Sequence, residues 1–274
     1  MDLKILTFNI WDIPFWFCVN RKRRMARLGA FLKEKNTDVL CLQENFDVLH
    51  RRLMHKTLGE TIYNLHNNHH KTRRVFLYKK FDKTGGLATY SKFPIVNTEF
   101  VPFKKPLLMS LPEKLGSKGF LKTLIKTPKG NIMVVNVHFL HGLAGTARSL
   151  RNMQIKQLIE NLRSVKNTVI LAGDFNDEAN SHIDNFSHEF RGAGFSDAAL
   201  FLKKIPQPTL LTSNKYTSIL FQYRGNKSER YDHIFIRNCK RVILKVLDLE
   251  TLLQPEDPLS DHEPVMAKLR LVKI

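Results

Sequence analysis

The 274-residue sequence predicts an α/β fold in which helices cover mixed β-sheets. Three observations carry that expectation. Short β-prone runs dominate, and two of them, Asp38-Val39-Leu40-Cys41-Leu42 and Thr168-Val169-Ile170-Leu171-Ala172, are almost continuously apolar, as in strands buried on both faces. Helical stretches over residues 20–35 and 145–163 are interspersed among them. Several strands also follow one another through turns, which favours mixed sheets over a simple doubly wound one.

In chain order, Leu3-Lys4-Ile5-Leu6-Thr7-Phe8 is the first strand, short and β-prone. Residues 20–35 place Met25, Leu28, Phe31 and Leu32 on one helical stripe, with five Lys or Arg between Arg21 and Arg27. Asp38–Leu42 is the next strand. Gly85–Tyr90, Phe120–Ile125 and Ile132–Phe139 carry further strand signals, the second helix follows, and Thr168–Ala172 is another buried strand. Tyr231–Ile236, Val242–Leu249 and Val265–Val272 close the chain. No repeat, low-complexity tract or Gly/Ser/Pro-rich linker divides it, so one domain over residues 1–274 is expected.

Composition narrows the function. Apolar residues make up 43% and charged residues 25%, a balance suited to a packed core rather than a disordered chain. No apolar run reaches the ~20 residues of a spanning helix, and the N-terminus lacks the basic-then-apolar layout of a secretory signal. These features suit a cytoplasmic or peripheral membrane protein, or one exported without an N-terminal signal. Three cysteines, Cys18, Cys41 and Cys239, form neither a disulfide framework nor a zinc motif. The 44 Lys and Arg outnumber the 25 Asp and Glu for a net charge of +19, which points to a polyanionic partner or an anionic surface. The excess is greatest in residues 1–80 and 101–130.

Polar residues stand at the ends of the predicted strands: Asn9, Glu44, Asn136 with His138, Asp174 with Asn176, Asp232, and the Asp261-His262 pair. Strand ends are where α/β sheets place their sites, so these side chains can converge in one cleft. Each alone has a plainer reading, as a turn amide, a solvated edge carboxylate or a core histidine. Together they form a set of carboxylates, amides and histidines without a serine or cysteine nucleophile. Hard oxygen ligands suit Mg²⁺, Mn²⁺ or Ca²⁺ better than zinc. An aspartate that orients a histidine prepares a proton-transfer group, and amides can hold phosphoryl oxygens. Metal-assisted hydrolysis of a phosphate ester uses all of these parts. His66, His69 and His70 lack ligand spacing and read as a solvated loop, and His141 stays open.

The segments Leu6–Trp11, Leu42-Gln43-Glu44, Gly85–Lys92, Asn136-Val137-His138, Gly173-Asp174-Phe175-Asn176, Tyr231–Ile234 and Ser260–Val265 resemble, in order, the motifs of the endonuclease/exonuclease/phosphatase superfamily. The resemblance spans Asn9 to Val265 and implies a four-layer sandwich, two mixed β-sheets face to face with helices outside, of the DNase I-like type. It implies Glu44, helped by Asp261 and Asn9, as the site of a Mg²⁺ (or Mn²⁺) ion. Asp174 and Asn176 would then position water and the phosphoryl group, His138 would contact a phosphate oxygen, and His262, oriented by Asp232, would move the proton.

Asn9–Pro14, the helix Arg24–Leu32 and Ser117–Leu121 are similar to the neutral sphingomyelinase branch, with Lys118 and Asn136 as substrate-binding candidates. The run His138-Phe139-Leu140-His141 departs from that branch, which usually shows His-Leu-His or His-Leu-Gln. The implied function is that of a divalent-metal-dependent phosphodiesterase at an anionic membrane, a sphingomyelinase-like lipid hydrolase releasing phosphocholine from sphingomyelin. Ile13–Phe17 beside Arg21–Arg24 would serve as an interfacial anchor; the same segment also reads as core beside a basic helix start. A nuclease acting on DNA or RNA is the rival reading, favoured by the charge. A non-catalytic binding protein is the third, weakened because no motif residue is missing.

Overall fold

The structure is a computed structural model that describes residues 1–15, 18–58, 64–65, 72–75, 79–82, 84–105, 117–142, 145–177, 185–203, 206–219, 228–254 and 256–274. The strands are β1 (Asp2–Asp12), β2 (Val39–Asn45), β3 (Asn64–Leu65), β4 (Thr72–Val75), β5 (Lys79–Asp82), β6 (Ala88–Ser91) and β7 (Ile95–Pro102). They continue with β8 (Gly119–Thr127), β9 (Gly130–His138), β10 (Thr168–Asp174), β11 (Ser196–Asp197), β12 (Asp232–Arg237), β13 (Val242–Thr251) and β14 (Val265–Lys273). The helices are α1 (Arg21–Lys35), α2 (Val48–Leu58), α3 (Gly145–Leu162), α4 (Asn185–Gly192), α5 (Ala198–Leu202) and α6 (Lys215–Ile219).

Two six-stranded sheets result, ordered β13-β14-β1-β2-β6-β3 and β11-β12-β10-β9-β8-β7, with β4-β5 as a separate hairpin. Each large sheet has a parallel pair, β1 with β2 and β9 with β10, among antiparallel neighbours. The expected mixed sheets are therefore present, and helices flank them in the four-layer arrangement. Among the described residues no helix is long and apolar enough to cross a membrane.

Strand alternation sorts the core into three layers. Leu3, Ile5, Val39, Cys41, Val134, Ile170, Ala172 and Ile234 meet between the sheets. Leu6, Phe8, Ile10, Leu40 and Leu42 face outward and pack on Met25, Leu28 and Leu32 of α1 and Met54 of α2. On the opposite outer face Val135, Val137, Val169, Leu171 and Phe235 receive Ile155 and Leu158 of α3 and Phe190 of α4. At about 25 cal/mol per Å² of apolar surface, these layers are the main source of stability.

The inner faces change character along each central strand. In β1 the series runs Leu3, Ile5, Thr7, Asn9; in β9 Ile132, Val134, Asn136, His138; in β10 Ile170, Ala172, Asp174. The apolar seam thus becomes polar toward one rim. Hydrogen bonds join the sheets there: Gln43 Nε2 to Asn136 Oδ1 at 2.7 Å, Asn136 Nδ2 to Leu42 O and Ala88 O at 3.0 Å each, and Asn9 Nδ2 to Asp174 Oδ2 at 2.9 Å.

Most predicted elements appear with extended ends, and β2 begins at Val39, just after Asp38, whose carboxylate accepts from Lys4 N at 2.8 Å. α2 and β7 were not expected. β7 is a sheet edge with exposed Val96, Asn97 and Glu99, so it lacks a strong apolar alternation.

Candidate active site

Register assembles the core of the site. In the second sheet Asp174 pairs with His138 on one side and Asp232 on the other, placing three functional side chains abreast on β9, β10 and β12. Gly173 makes this close approach possible. Its φ is +152°, and a Cβ there would lie 2.0 Å from Val137 O.

Left-handed backbone turns aim the remaining groups. Glu44 has φ 53°, Trp11 48° and Asn176 50°, each an uncommon conformation for a side-chain-bearing residue. Asn176 N donates to Asp174 Oδ1 at 2.8 Å, and Trp11 N donates to Asn9 Oδ1 at 3.1 Å. The turn after Glu44 is fixed by Asn45 N donating to Gly86 O at 2.9 Å.

The result is an unbroken line of acids and histidines. His138 Nε2 lies 3.8 Å from Glu44 Oε1 and 3.4 Å from Asp174 Oδ2. His262 Nε2 lies 3.8 Å from the same Asp174 oxygen, while its Nδ1 is 2.7 Å from Asp232 Oδ2. Ser260 Oγ stands 2.6 Å from Asn9 O and 3.0 Å from Asp261 Oδ1, holding the Asp261-His262 loop against β1. Lys118 Nζ and Asn176 Nδ2 both donate to Phe139 O at 3.0 Å, and Asn176 Oδ1 is 2.9 Å from His141 Nδ1.

Burial and charge divide the protonation states. Burial, with Asp261 and Asp174 adding repulsion, pushes Glu44 up to about 8 despite the opposing Lys118 ammonium. Burial would lower His262, but Asp232 and Asp174 outweigh it and hold the imidazole well above its ordinary range. Burial and Lys118 keep His138 well below that range. Burial raises Asp232, and for Asp174 the neighbouring histidines and Lys118 overcome burial and lower it.

Among the described residues, Glu44 Oε2 and both ring nitrogens of His138 are buried without hydrogen-bond partners. A carboxylate so placed fits a divalent cation, which would offset the cost of ionising it. Glu44 and Asp261 carry carboxylate oxygens that could hold such an ion. Asn9 Oδ1 retains a lone pair beside its bond from Trp11 N. Asp174, Asp232 and His262 also present atoms within 4.8 Å of one another, a spacing able to hold a metal. The short Asp232–His262 bond already occupies that trio, so it suits proton transfer better.

One expectation is corrected and another narrowed. Asn136 is fully buried, donates to Leu42 O and Ala88 O at 3.0 Å each, and accepts from Gln43. Its amide is spent tying the sheets together, so it does not bind substrate. The basic start of α1 is engaged only in part, with Lys22 and Arg23 still exposed. Arg21 bonds Asp12 and Asp47, Arg23 bonds Asp257, and Arg24 is buried. Trp16 and Phe17 of the proposed anchor, and His66, His69 and His70, lie outside the described residues. Gln43 and Arg24 were not singled out as site-shaping residues. Arg24 shares a helical stripe with Leu28 and Phe31, a signal that marks it as inward-facing.

Layered mixed sheets with an acid–histidine line at one rim define a phosphoester-hydrolase architecture. The chain belongs to the endonuclease/exonuclease/phosphatase family, whose sequence pattern matches residues 6–262. It is 26% identical over 295 residues to a Drosophila melanogaster protein that carries the provisional name neutral sphingomyelinase. That alignment covers 100% of this chain and 62% of the relative, so the chain spans about six-tenths of its length. Sphingomyelinase C from Streptomyces griseocarneus has a similar structure, at TM-score 0.70 and 19% identity, covering 98% of this chain and 99% of that one. D. rerio TDP2 complexed with a single-strand DNA product superposes at TM-score 0.70 and 16% identity, covering 98% and 99%. A beta toxin variant from Staphylococcus aureus with bound magnesium ions does so at 0.68 and 19%, covering 97% and 99%. At these identities the structural likeness is one of fold.

Proposed function

We propose that this protein is a Mg²⁺-dependent phosphoric diester hydrolase that cleaves sphingomyelin to phosphocholine and ceramide. The observation that carries the reaction class is the line Glu44–His138–Asp174–His262–Asp232, buried between two sheets with an unpartnered carboxylate oxygen at its Glu44 end. Support for the lipid comes from the Drosophila relative, whose alignment covers the whole of this chain.

When bound, the divalent ion supplies positive charge for the phosphoryl oxygens. Glu44 and Asp261 would hold it, with Asn9 behind them. Asp174 and Asn176 orient the water whose oxygen attacks phosphorus. His138 and Lys118 contact phosphoryl oxygens, lowering the barrier as charge accumulates there. His262, kept in one orientation by Asp232, exchanges the proton between attacking water and the departing ceramide oxygen as the P–O bond breaks.

The second reading, a nuclease, is favoured by the +19 charge and by the DNA-bound TDP2 neighbour. The test is product analysis on sphingomyelin-containing vesicles and plasmid DNA side by side, with Mg²⁺ and with EDTA. Phosphocholine release that EDTA and Glu44→Ala abolish is the expected result. Plasmid nicking without phosphocholine would replace the lipid reading, and full activity in EDTA would remove the metal.

A further inference from the structure

We propose that Arg24 is a positioning residue for the metal pocket, clamping together the two chain segments that carry Asn9 and Asp261. The inference rests on the reading of Glu44, Asp261 and Asn9 as the divalent-ion site.

Arg24 is 1% exposed and, among the described residues, forms no ion pair with a carboxylate. Its guanidinium bonds backbone carbonyls instead. Nη1 donates to Ile10 O at 3.0 Å and to Leu259 O at 2.8 Å, Nη2 to Trp11 O at 2.8 Å, and Nε to Val19 O at 3.1 Å. The Trp11 and Tyr216 rings lie 4.8 and 5.3 Å from its central carbon. A cation buried without a counter-charge is costly, and an apolar residue at this place in α1 would fill the core without that cost. What only a rigid five-donor fork supplies is a simultaneous bond to three bends of the chain.

Two of those bends belong to the site. Ile10 and Trp11 follow Asn9 directly, where β1 shifts register against β2 and Trp11 turns left-handed. Leu259 precedes Ser260 and Asp261, and Ser260 Oγ meets Asn9 O. The guanidinium and the serine hydroxyl therefore join the same two segments. Cys18, which donates to Trp11 O, feels the charges of Arg24, Glu44 and Asp261 together, so the clamp borders the acidic pocket. With the clamp gone, the Trp11 bulge and the 259–261 loop separate, and Asn9 and Asp261 no longer face one ion.

The experiment is Mg²⁺ titration by calorimetry, without substrate, on wild type, Arg24→Met and Arg24→Lys, with circular dichroism and thermal melts alongside. The expected result is a folded Arg24→Met whose Mg²⁺ dissociation constant rises about tenfold, a loss of about 1.4 kcal/mol. Arg24→Lys, with one ammonium for four carbonyls, should fall between. Wild-type Mg²⁺ affinity in a folded Arg24→Met, within about twofold, overturns the inference and leaves Arg24 as a core residue only. If Arg24→Met does not fold, Arg24→Lys and Ser260→Ala carry the test, and unchanged Mg²⁺ binding in both overturns it equally. A wild type that binds no Mg²⁺ sinks the reading beneath the inference, an outcome distinct from equal binding in wild type and variants.

Discussion

Replacing Asp232 by Asn removes one charge from the site and little else. The amide keeps the shape and an oxygen that can accept from His262 Nδ1, which now sits 2.7 Å from the carboxylate. Hydrogen bonds to a charged group contribute about 1.5–3 kcal/mol, and a positioned proton-transfer group about 10²–10⁴ in rate. With Asp232 neutral, Asp174, 3.8 Å away, and Asp261 remain to oppose the burial that drives the imidazole toward its neutral form. The proposed function then predicts a fall in kcat of about 10²–10⁴ with KM nearly unchanged. Stability reports the same change. His262 holds its proton more tightly folded than unfolded, so its contribution is full below about pH 6.5 and is lost as pH rises through the elevated folded value. Asp232 is raised by burial, so its own contribution is full below about pH 4 and is lost as pH rises through its folded value. The alkaline loss should therefore shrink in Asp232→Asn. Sphingomyelin turnover and urea melts across the neutral-to-alkaline range measure both effects. A variant with kcat within about threefold of wild type and the same alkaline slope would refute the orienting role of Asp232.

Glu44, raised to about 8 by burial and Asp261, makes the cation-free protein lose stability as pH climbs from 4.5 toward 8, on the order of 4–5 kcal/mol. Mg²⁺ should accordingly raise the melting temperature more at pH 8 than at pH 5, and Glu44→Gln should abolish both trends; scanning calorimetry showing the same Mg²⁺ effect in both proteins would contradict this. Gly173→Ala places a methyl 2.0 Å from Val137 O at φ +152°, a strain of about 2–6 kcal/mol that also pries His138 from Asp174. Denaturation should register the cost, and protein that stays folded should lose turnover as well.

The site was legible where a polar residue interrupts a strand of period two at its end. Asn9, Glu44, His138, Asp174 and Asp232 each follow or open an apolar run, and the superfamily motifs supplied their order. Asn136 carries the same signal, yet lies two residues short of His138, where it meets Gln43 across the seam. Only inter-sheet register separates a residue that faces the cleft from one that closes the core. Arg24 is hidden by its neighbours, because a run of four cations reads as solvent-facing until one falls on the apolar stripe. α2 was missed because Arg51 and Arg52 break its apolar pattern, even though Met54 and Leu58 are buried.

The site is stitched across long stretches of chain: Asn9 to Asp174 spans 165 positions, and Ser260 to Asn9 spans 251. β1 gains its antiparallel neighbour only from β14, with Asp2 opposite Arg270. A growing polypeptide therefore carries an unpaired β1 edge and an open acidic pocket until β14 has been made. Contacts of this separation close late and slowly. Hydrolytic competence would then emerge only as the first strand meets the one that follows it by some 250 residues, making enzyme activity a direct clock for completion of the fold.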